Sequence, residues 1–396
     1  MLPIRYQPFL THLSSPVICP RKQPQETSSV NPSSLHIAIA GAGLLGRLLA
    51  WRLAVAGHHI SVFEAGSLLQ PPQGQRAAAF TAAGMVAPLS EAVVSDADVY
   101  RMGLYALQRW PEWLAGLPPQ ETPLFHYQGS LVVAHPQDYP ELDQFEQELR
   151  FVIPECRGYQ RLDGVAIQQL EPDLNPGLQQ GLFLAEEGHI HNRELMQQLG
   201  VELQRLGVAI HERTAVAVAP YRVHSQERQW QADCVIDCRG LGAKPQMPAQ
   251  ALRGVRGETL HVETREIHLQ RPVRLMHPRY QLYAVPKPNH RFIIGATQIE
   301  SEDSSPVSIQ SSLELSSALY TLSPAFAEAR IIELDTNLRP AFMDNMPRVI
   351  QQPGLITANG LFRHGYLLAP AVVDNVLALV HEQKDVPFSH PLNRVL

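Results

Sequence analysis

The sequence predicts an α/β fold: a Rossmann-like dinucleotide-binding domain joined to a second, β-sheet-containing domain. Three observations carry this. Residues 36–64 read as strand, glycine-rich turn, helix, strand and terminal acid; residues 354–380 repeat a strand–turn–helix pattern; and several strand-like segments lie between Gly257 and Leu338. Mixed α/β ends around a β-rich middle imply a nucleotide domain assembled from separated segments. With 396 residues the chain also exceeds what one core usually holds.

The first unit is the most informative. The apolar run His36 to Ala40 leads into Gly41-Ala42-Gly43-Leu44-Leu45-Gly46, a helical pattern follows, and the run His59 to Phe63 ends in Glu64. Each part has a task in holding a dinucleotide. Gly41 permits the tight turn, Gly43 lets the backbone approach a pyrophosphate, and Gly46 lets the helix pack close to the strand. The helix N-terminus directs free N–H groups at phosphates, and Glu64 can accept hydrogen bonds from ribose hydroxyls. Glycines also cluster in ordinary turns, but here strand, helix, second strand and acid are all in register. The motif does not distinguish FAD from NAD.

Composition narrows the class. A chain with 45% hydrophobic and 18% charged residues and a net charge of −6 is globular, with no electrostatic case for nucleic acid or an anionic membrane as partner. No apolar run is long enough to span a bilayer. Residues 1–34, rich in Pro, Ser and Gln, lack periodicity and the layout of a secretory signal; they read as a disordered extension. Cys19, Cys156, Cys234 and Cys238 show no metal spacing, and Cys234 and Cys238 read as small buried residues of a strand. A reducing, cytoplasmic setting fits this usage, and no metal is expected.

Beyond Glu64 comes the loop of residues 66–75, then a run of small residues from Arg76 to Pro88, which suits either a tight helix or backbone lying against a flat ligand. Helical periodicity marks residues 96–116 and 137–150, a shorter helix residues 163–173, and an amphipathic helix Glu194 to Leu206, with Gly207 placed as its C-cap. Strands are expected at 129–134, 208–211, 215–219, 232–238, 257–263, 281–285, 291–296, 330–338 and 354–358. Pro286 to His290 reads as a hairpin turn, residues 310–322 as a helix, Asn359 to Gly365 as a turn and Tyr366 to Val380 as the last helix.

The order of AAGMVAP, RGETL, YAVPKPNHRFIIGAT, NLRPAFMDNMP and NGLFRHGYLLAP behind the nucleotide motif resembles the D-amino-acid-oxidase-like FAD-dependent oxidoreductases, most closely the glycine oxidases of the thiamine pathway. The resemblance runs from about His36 to Leu379. It implies non-covalently bound FAD, an FAD-binding domain of residues 35–124, 187–254 and 336–382, a substrate domain of residues 125–186 and 255–335, and a C-terminal tail from 383. It further implies that Leu44 and Leu45 lie at the pyrophosphate turn, Glu64 and Ala65 at the ribose, and Val216 by the adenine. Ala83, Gly84 and Met85 would lie beside the isoalloxazine. Leu361, Phe362, Arg363, His364, Gly365, Tyr366 and Leu367 would present backbone to its pyrimidine end. Tyr283, Arg339 and Arg363 match the positions that hold the substrate carboxylate.

The arginine assignment has independent chemical sense. An α-amino acid must be held with its Cα–H over the flavin, and its carboxylate is the natural handle for a planar two-pronged donor. Arg339 lies between an apolar strand and Pro340, and Arg363 in a glycine-flanked apolar turn, contexts that bury a cation in need of an anion. Tyr283 alternates with apolar neighbours, so a core tyrosine is its plain alternative. The chain departs from the glycine oxidase pattern at Ala78, Ala79 and Phe80, where hydroxyls are usual; at Gln281, where a histidine is usual; and at His364, where an asparagine is usual. Arg239 can meet a phosphate or pair on the surface. No cysteine lies near Arg339 to bind flavin covalently.

These readings lead to an FAD-dependent oxidoreductase acting on the C–N bond of a small amine or amino acid, with dioxygen or another electron acceptor reoxidising the flavin. No catalytic acid or base is nominated, because an amine that enters neutral can lose hydride without one. A D-amino-acid or N-methyl-amino-acid dehydrogenase is the nearest rival, and a flavin-binding protein without turnover is a rival of another class. An NAD-dependent enzyme is the weakest alternative.

Overall fold

The strand His36–Ala40 lies inside a six-stranded sheet ordered Arg348–Gln352, Leu355–Asn359, Cys234–Asp237, His36–Ala40, His59–Phe63, Ala209–His211. The computed structural model describes residues 34–69, 76–279 and 282–393, and these described residues form one compact unit. All pairs of this sheet are parallel except Arg348–Gln352 with Leu355–Asn359. Parallel strands need crossover connections, which cover both faces and explain why Ile37, Ala38, Ile39 and Ala40 are fully buried. The helix Leu44–Val55 shows no narrow apolar stripe because it is enclosed nearly all round; Leu48, Leu49, Trp51 and Leu53 share one core with Trp110 and Trp113 of helix Ala97–Leu114 and with Leu367 to Val376 of helix Gly365–Val380.

A second, eight-stranded sheet is ordered Arg330–Phe342, Leu252–Glu263, Arg291–Gly295, Leu282–Lys287, Val273–Met276, Ser130–Ala134, Gln180–Leu184, Tyr159–Asp163. One face packs Leu260, Val262, Ala284 and Ile294 against helix Ile309–Leu322. The alternate residues, among them Tyr283, Val285, Ile293 and Arg274, point the other way, toward Ala83, Met85 and Glu91. The expected boundaries at 254/255 and 335/336 fall inside Leu252–Glu263 and Arg330–Phe342, two antiparallel strands paired from end to end.

The periodic helices lie where the pattern places them, as Ala97–Leu114, Tyr139–Val152, Asn192–Arg205 and Ile309–Leu322. The run of small residues from Arg76 is not one helix: a 3₁₀ turn, Ala78–Phe80, is followed by the two-residue strand Met85–Val86. The proposed hairpin turn is shorter than expected, because the strand Leu282–Lys287 continues through Pro286; Asn289 and His290, with φ of 63° and 58°, make the reversal. Strands that sequence reading did not find include the edge strand Tyr159–Asp163, whose polar content hides any alternation, and Val273–Met276, buried on both faces. The expected extension of residues 1–34 falls almost wholly outside the described residues, as do much of the loop 66–75 and the departure at Gln281. Among the described residues, no helix is long and apolar enough to cross a membrane.

Candidate active site

The glycine-rich turn sits at the C-terminal end of strand His36–Ala40. Gly41 adopts φ +92°, and a Cβ on it would lie 2.6 Å from the Cys238 carbonyl oxygen; a Cβ on Gly46 would lie 1.9 Å from the Gly41 carbonyl. Both positions therefore require glycine for the protein's own packing. Gly43 differs: among the described residues its Cβ would touch only the Ala77 methyl, at 3.6 Å. The helix that follows, beginning at Leu44 and Leu45, has no side-chain cap, which leaves its first N–H groups available to an anion. Glu64 closes the turn from the next strand: Oε2 accepts from the Ala42 amide at 2.7 Å and Oε1 from the Gly66 amide at 2.8 Å, beside exposed Ala65. Val216 packs near Phe63, and its carbonyl accepts from Arg239 at 2.7 Å. Arg239 is paired with Asp237 at 2.7 Å, an ion pair as one alternative has it, but a largely buried one and not a surface one.

Arg47, which no sequence pattern singled out, is buried beneath this turn. Its guanidinium donates to the carbonyls of Ala42, Met196 and Leu68 at 2.5–2.7 Å, and burial pulls its pKa down to about 10. It ties the turn to two other segments.

Ala83, Gly84 and Met85 form the second element. Gly84, at φ +75°, lies so close to the next chain that a Cβ would be 2.3 Å from the Ile190 carbonyl, and the Ile190 amide donates to the Gly84 carbonyl at 2.7 Å. Ala83 and Met85 pack on Tyr283, Val285 and Ile293 of the large sheet. Lys287, two positions beyond Val285, donates to the carbonyls of Ala83 and Ile190, each at 2.7 Å. Desolvation lowers its pKa to about 7. The turn Ala78–Phe80 lacks hydroxyls, yet its carbonyls are held by Tyr366 Oη, Asn192 and Arg193.

The third element joins the two arginines. The Phe362 amide donates to the Pro340 carbonyl at 2.9 Å, which sets the turn 361–365 against Arg339. Phe362 takes φ 50°, Leu361, Phe362 and His364 are buried, and Gly365, Tyr366 and Leu367 open the last helix without a side-chain cap. Arg339 lies flat over Gly257, where a Cβ would be 2.3 Å from its guanidinium carbon, so RGETL needs its glycine. Arg339 donates to the carbonyls of Arg256 and Thr297 at 3.1–3.2 Å, and burial lowers its pKa. Arg363 reaches Gln298, the residue after Thr297, at 3.3 Å. Burial raises the pKa of Tyr283, opposed by the charges of Arg339, Arg363 and Arg274. Tyr283, Arg339 and Arg363 thus share one electrostatic environment.

Glu91, in the helix Pro88–Ala92, is the acid of this cluster. Its carboxylate lies 2.9 Å from Arg363 Nε, 2.7 Å from Arg274 Nη2 and 3.2 Å from His364 Nδ1. Burial alone would raise its pKa, but Arg363, Arg274 and His364 outweigh it and hold the group well below the ordinary carboxylate range. Sequence reading passed over Glu91 and Arg274; a lone acid directly behind AAGMVAP and a lone arginine in an apolar strand were the available signals.

The expected FAD fits these residues. A diphosphate suits the face of Gly43 at an uncapped helix N-terminus, and two further segments, 83–85 and 361–367, border the eight-stranded sheet.

Comparison with known proteins agrees with this fold. A Rhizobium etli protein, assigned by its name provisionally to thiamine biosynthesis as the oxidoreductase ThiO, is 39% identical over 342 residues, covering 86% of this chain and 95% of that protein. A glycine oxidase of Pseudomonas aeruginosa is 26% identical over 366 residues, covering 85% and 92%. The crystal structure of glycine oxidase from Geobacillus kaustophilus superposes with a TM-score of 0.77 at 22% identity, covering 91% and 98%. The family described as FAD dependent oxidoreductase matches residues 36–375, and this chain belongs to it.

Proposed function

We propose that this FAD-dependent oxidoreductase oxidises the C–N bond of a small amino acid whose carboxylate is held by Arg339 and Arg363 and capped by Tyr283. The observation that carries this reading is Arg339: its N–H groups meet only neutral carbonyl oxygens, and among the described residues no carboxylate pairs with it. A desolvated guanidinium so placed favours an incoming carboxylate as its counter-ion. FAD supplies the two-electron acceptor for the oxidation. The chain's own residues bind and orient. Gly41, Gly43, Leu44, Leu45, Gly46, Glu64, Ala65 and Val216 hold the ADP half without a covalent link. Ala83 to Met85 and Leu361 to Leu367 border the isoalloxazine. The domain division follows the same plan, with the six-stranded sheet serving the cofactor and the eight-stranded sheet the substrate.

Relatives named as glycine oxidases, together with the ThiO relative, support glycine or a similarly small amino acid as substrate. Dioxygen or another electron acceptor completes the cycle. The test is anaerobic flavin bleaching with glycine, sarcosine, D-amino acids and plain amines, followed by reoxidation with air or artificial acceptors. Amino acids should bleach the flavin faster than the matching amines. Equal rates for glycine and methylamine, unchanged in Arg339→Ala, would sink the carboxylate anchor, and absence of bleaching by every compound would favour a flavoprotein without turnover.

A further inference from the structure

We infer that His126, His189 and His191 form a three-imidazole site for a divalent late-transition cation of the Zn2+ class. Backbone hydrogen bonding brings the three rings together. The two-residue strand Phe125–His126 pairs with Gly188–Ile190 so that His126 stands opposite His189, and the His191 amide donates to the Leu124 carbonyl at 2.8 Å. His126 is remote in sequence from the other two, so no metal-ligand spacing appears in the chain.

The geometry suits a shared cation. Ring centroids are 4.6 Å apart for His126 and His191, 5.0 Å for His126 and His189, and 5.6 Å for His189 and His191; the His126 and His189 rings are stacked at 12°, so one of them must turn about its Cβ–Cγ bond to aim its in-plane lone pair at a shared ion. With metal–nitrogen distances of about 2.0–2.1 Å and tetrahedral angles, imidazole centroids would be separated by about 5 Å. One ring nitrogen from each histidine lies within 4.8 Å of the others, and the Nε2 atoms of His126 and His191 are 2.9 Å apart. Two nitrogens this close share at most one proton between them, although His126 Nε2 also lies 3.0 Å from the Pro123 carbonyl. Among the described residues Nδ1 of His191 is buried without a hydrogen-bond partner, a condition few buried polar atoms tolerate. In the tautomer whose Nε2–H faces His126, that orphan atom is a lone pair free to take a cation.

His189 and His191 are 2% and 4% exposed, whereas His126 is only partly buried and gives a way in from solvent. Lys287, which loses its proton near pH 7 in the fold, acts on all three rings. The candidate ligand atoms are all imidazole nitrogens, which favours borderline-soft cations over Mg2+ or Ca2+. The other His–carboxylate cluster, His261 with Glu333 and Asp335, offers no such site because Arg76 and Arg193 already pair with its acids. A cation held here would brace the strand Gly188–Ile190, whose Ile190 amide supports Gly84. The inference does not depend on which amino acid the enzyme oxidises.

The test is Zn2+ binding to the FAD-loaded enzyme after treatment with EDTA, read by titration calorimetry and by zinc content after gel filtration. Wild type should take up one Zn2+ per chain with a raised melting temperature. His126→Ala, at the partly exposed ligand, should weaken binding by about 10- to 100-fold or more with FAD content unchanged; His191→Ala is the second variant. Failure of wild type to retain stoichiometric Zn2+, or equal binding by wild type and His126→Ala, would overturn the site. Cu2+ provides an independent readout, since its EPR spectrum should show nitrogen ligation that His126→Ala diminishes.

Discussion

Arg363 Nε lies 2.9 Å from a Glu91 carboxylate oxygen, whereas Arg339, brought beside the same turn by the Phe362–Pro340 hydrogen bond, reaches carbonyl oxygens only among the described residues. The two arginines are neighbours with different electrostatic histories. Arg363 shares the Glu91 carboxylate with Arg274, whereas no carboxylate among the described residues pairs with Arg339.

Arg339→Ala should therefore damage turnover of carboxylate substrates while FAD remains bound. Loss of a charge-assisted hydrogen-bonded contact of about 1.5–3 kcal/mol corresponds to about a 10- to 150-fold fall in kcat/KM. Anaerobic reduction rates across a concentration series check this, with the visible flavin spectrum as the control for cofactor content.

Glu91→Gln should destabilise the protein, since it leaves Arg363 and Arg274 close together without their shared anion. Breaking a buried pair by removing one partner costs about 3–5 kcal/mol. The pH dependence has a definite sign. The folded-state pKa of Glu91 is depressed, so its contribution is fully present above the unfolded-state value of 4.5 and fades as pH falls below it. Denaturant melts of wild type and Glu91→Gln should differ most near neutrality and converge in acid.

Two glycines of the nucleotide turn should fail in different ways. Gly43→Val meets only the Ala77 methyl among the described residues, so the chain should fold, melt as the apoprotein does and lack FAD. Gly46→Ala collides with the Gly41 carbonyl at 1.9 Å and should lower stability even without cofactor. Absorption spectra and apoprotein melting curves separate the two outcomes.

Lys287→Met should change the alkaline side of the stability profile. The folded-state pKa of Lys287 is about 7 against 10.5 for the free group. Between those values the unfolded chain holds a proton that the folded chain has released, so wild-type stability gains from this group as pH rises from 7 to 10.5. The methionine variant should lack that rise; parallel profiles for both proteins would show that Lys287 stays charged in the fold.

Much of the cofactor half was legible in the chain because its elements are local: a strand, a turn and a helix contiguous from His36 to Val55 declare themselves by spacing and glycine placement. The same holds for the long periodic helices. Legibility fell where partners are distant. The small residues around Ala83 were compatible with a helix or a ligand-facing turn, and it took the Gly84–Ile190 backbone contact to make them a turn. Arg239 could not choose between a phosphate and an acid until the fold set it on Asp237. Glu91 looked like any acid near a helix start, since its three basic partners come from Arg274, Arg363 and His364.

By itself, then, the sequence determined the α/β class and the strand, glycine turn and helix from His36 to Val55, because these depend on contacts within a few residues. Only the tertiary structure decided which arginine is paired and which is not, where Lys287 loses its solvent, and that His126 meets His189 and His191. Those properties are set by desolvation and by charges from remote strands, which have no signature in local spacing.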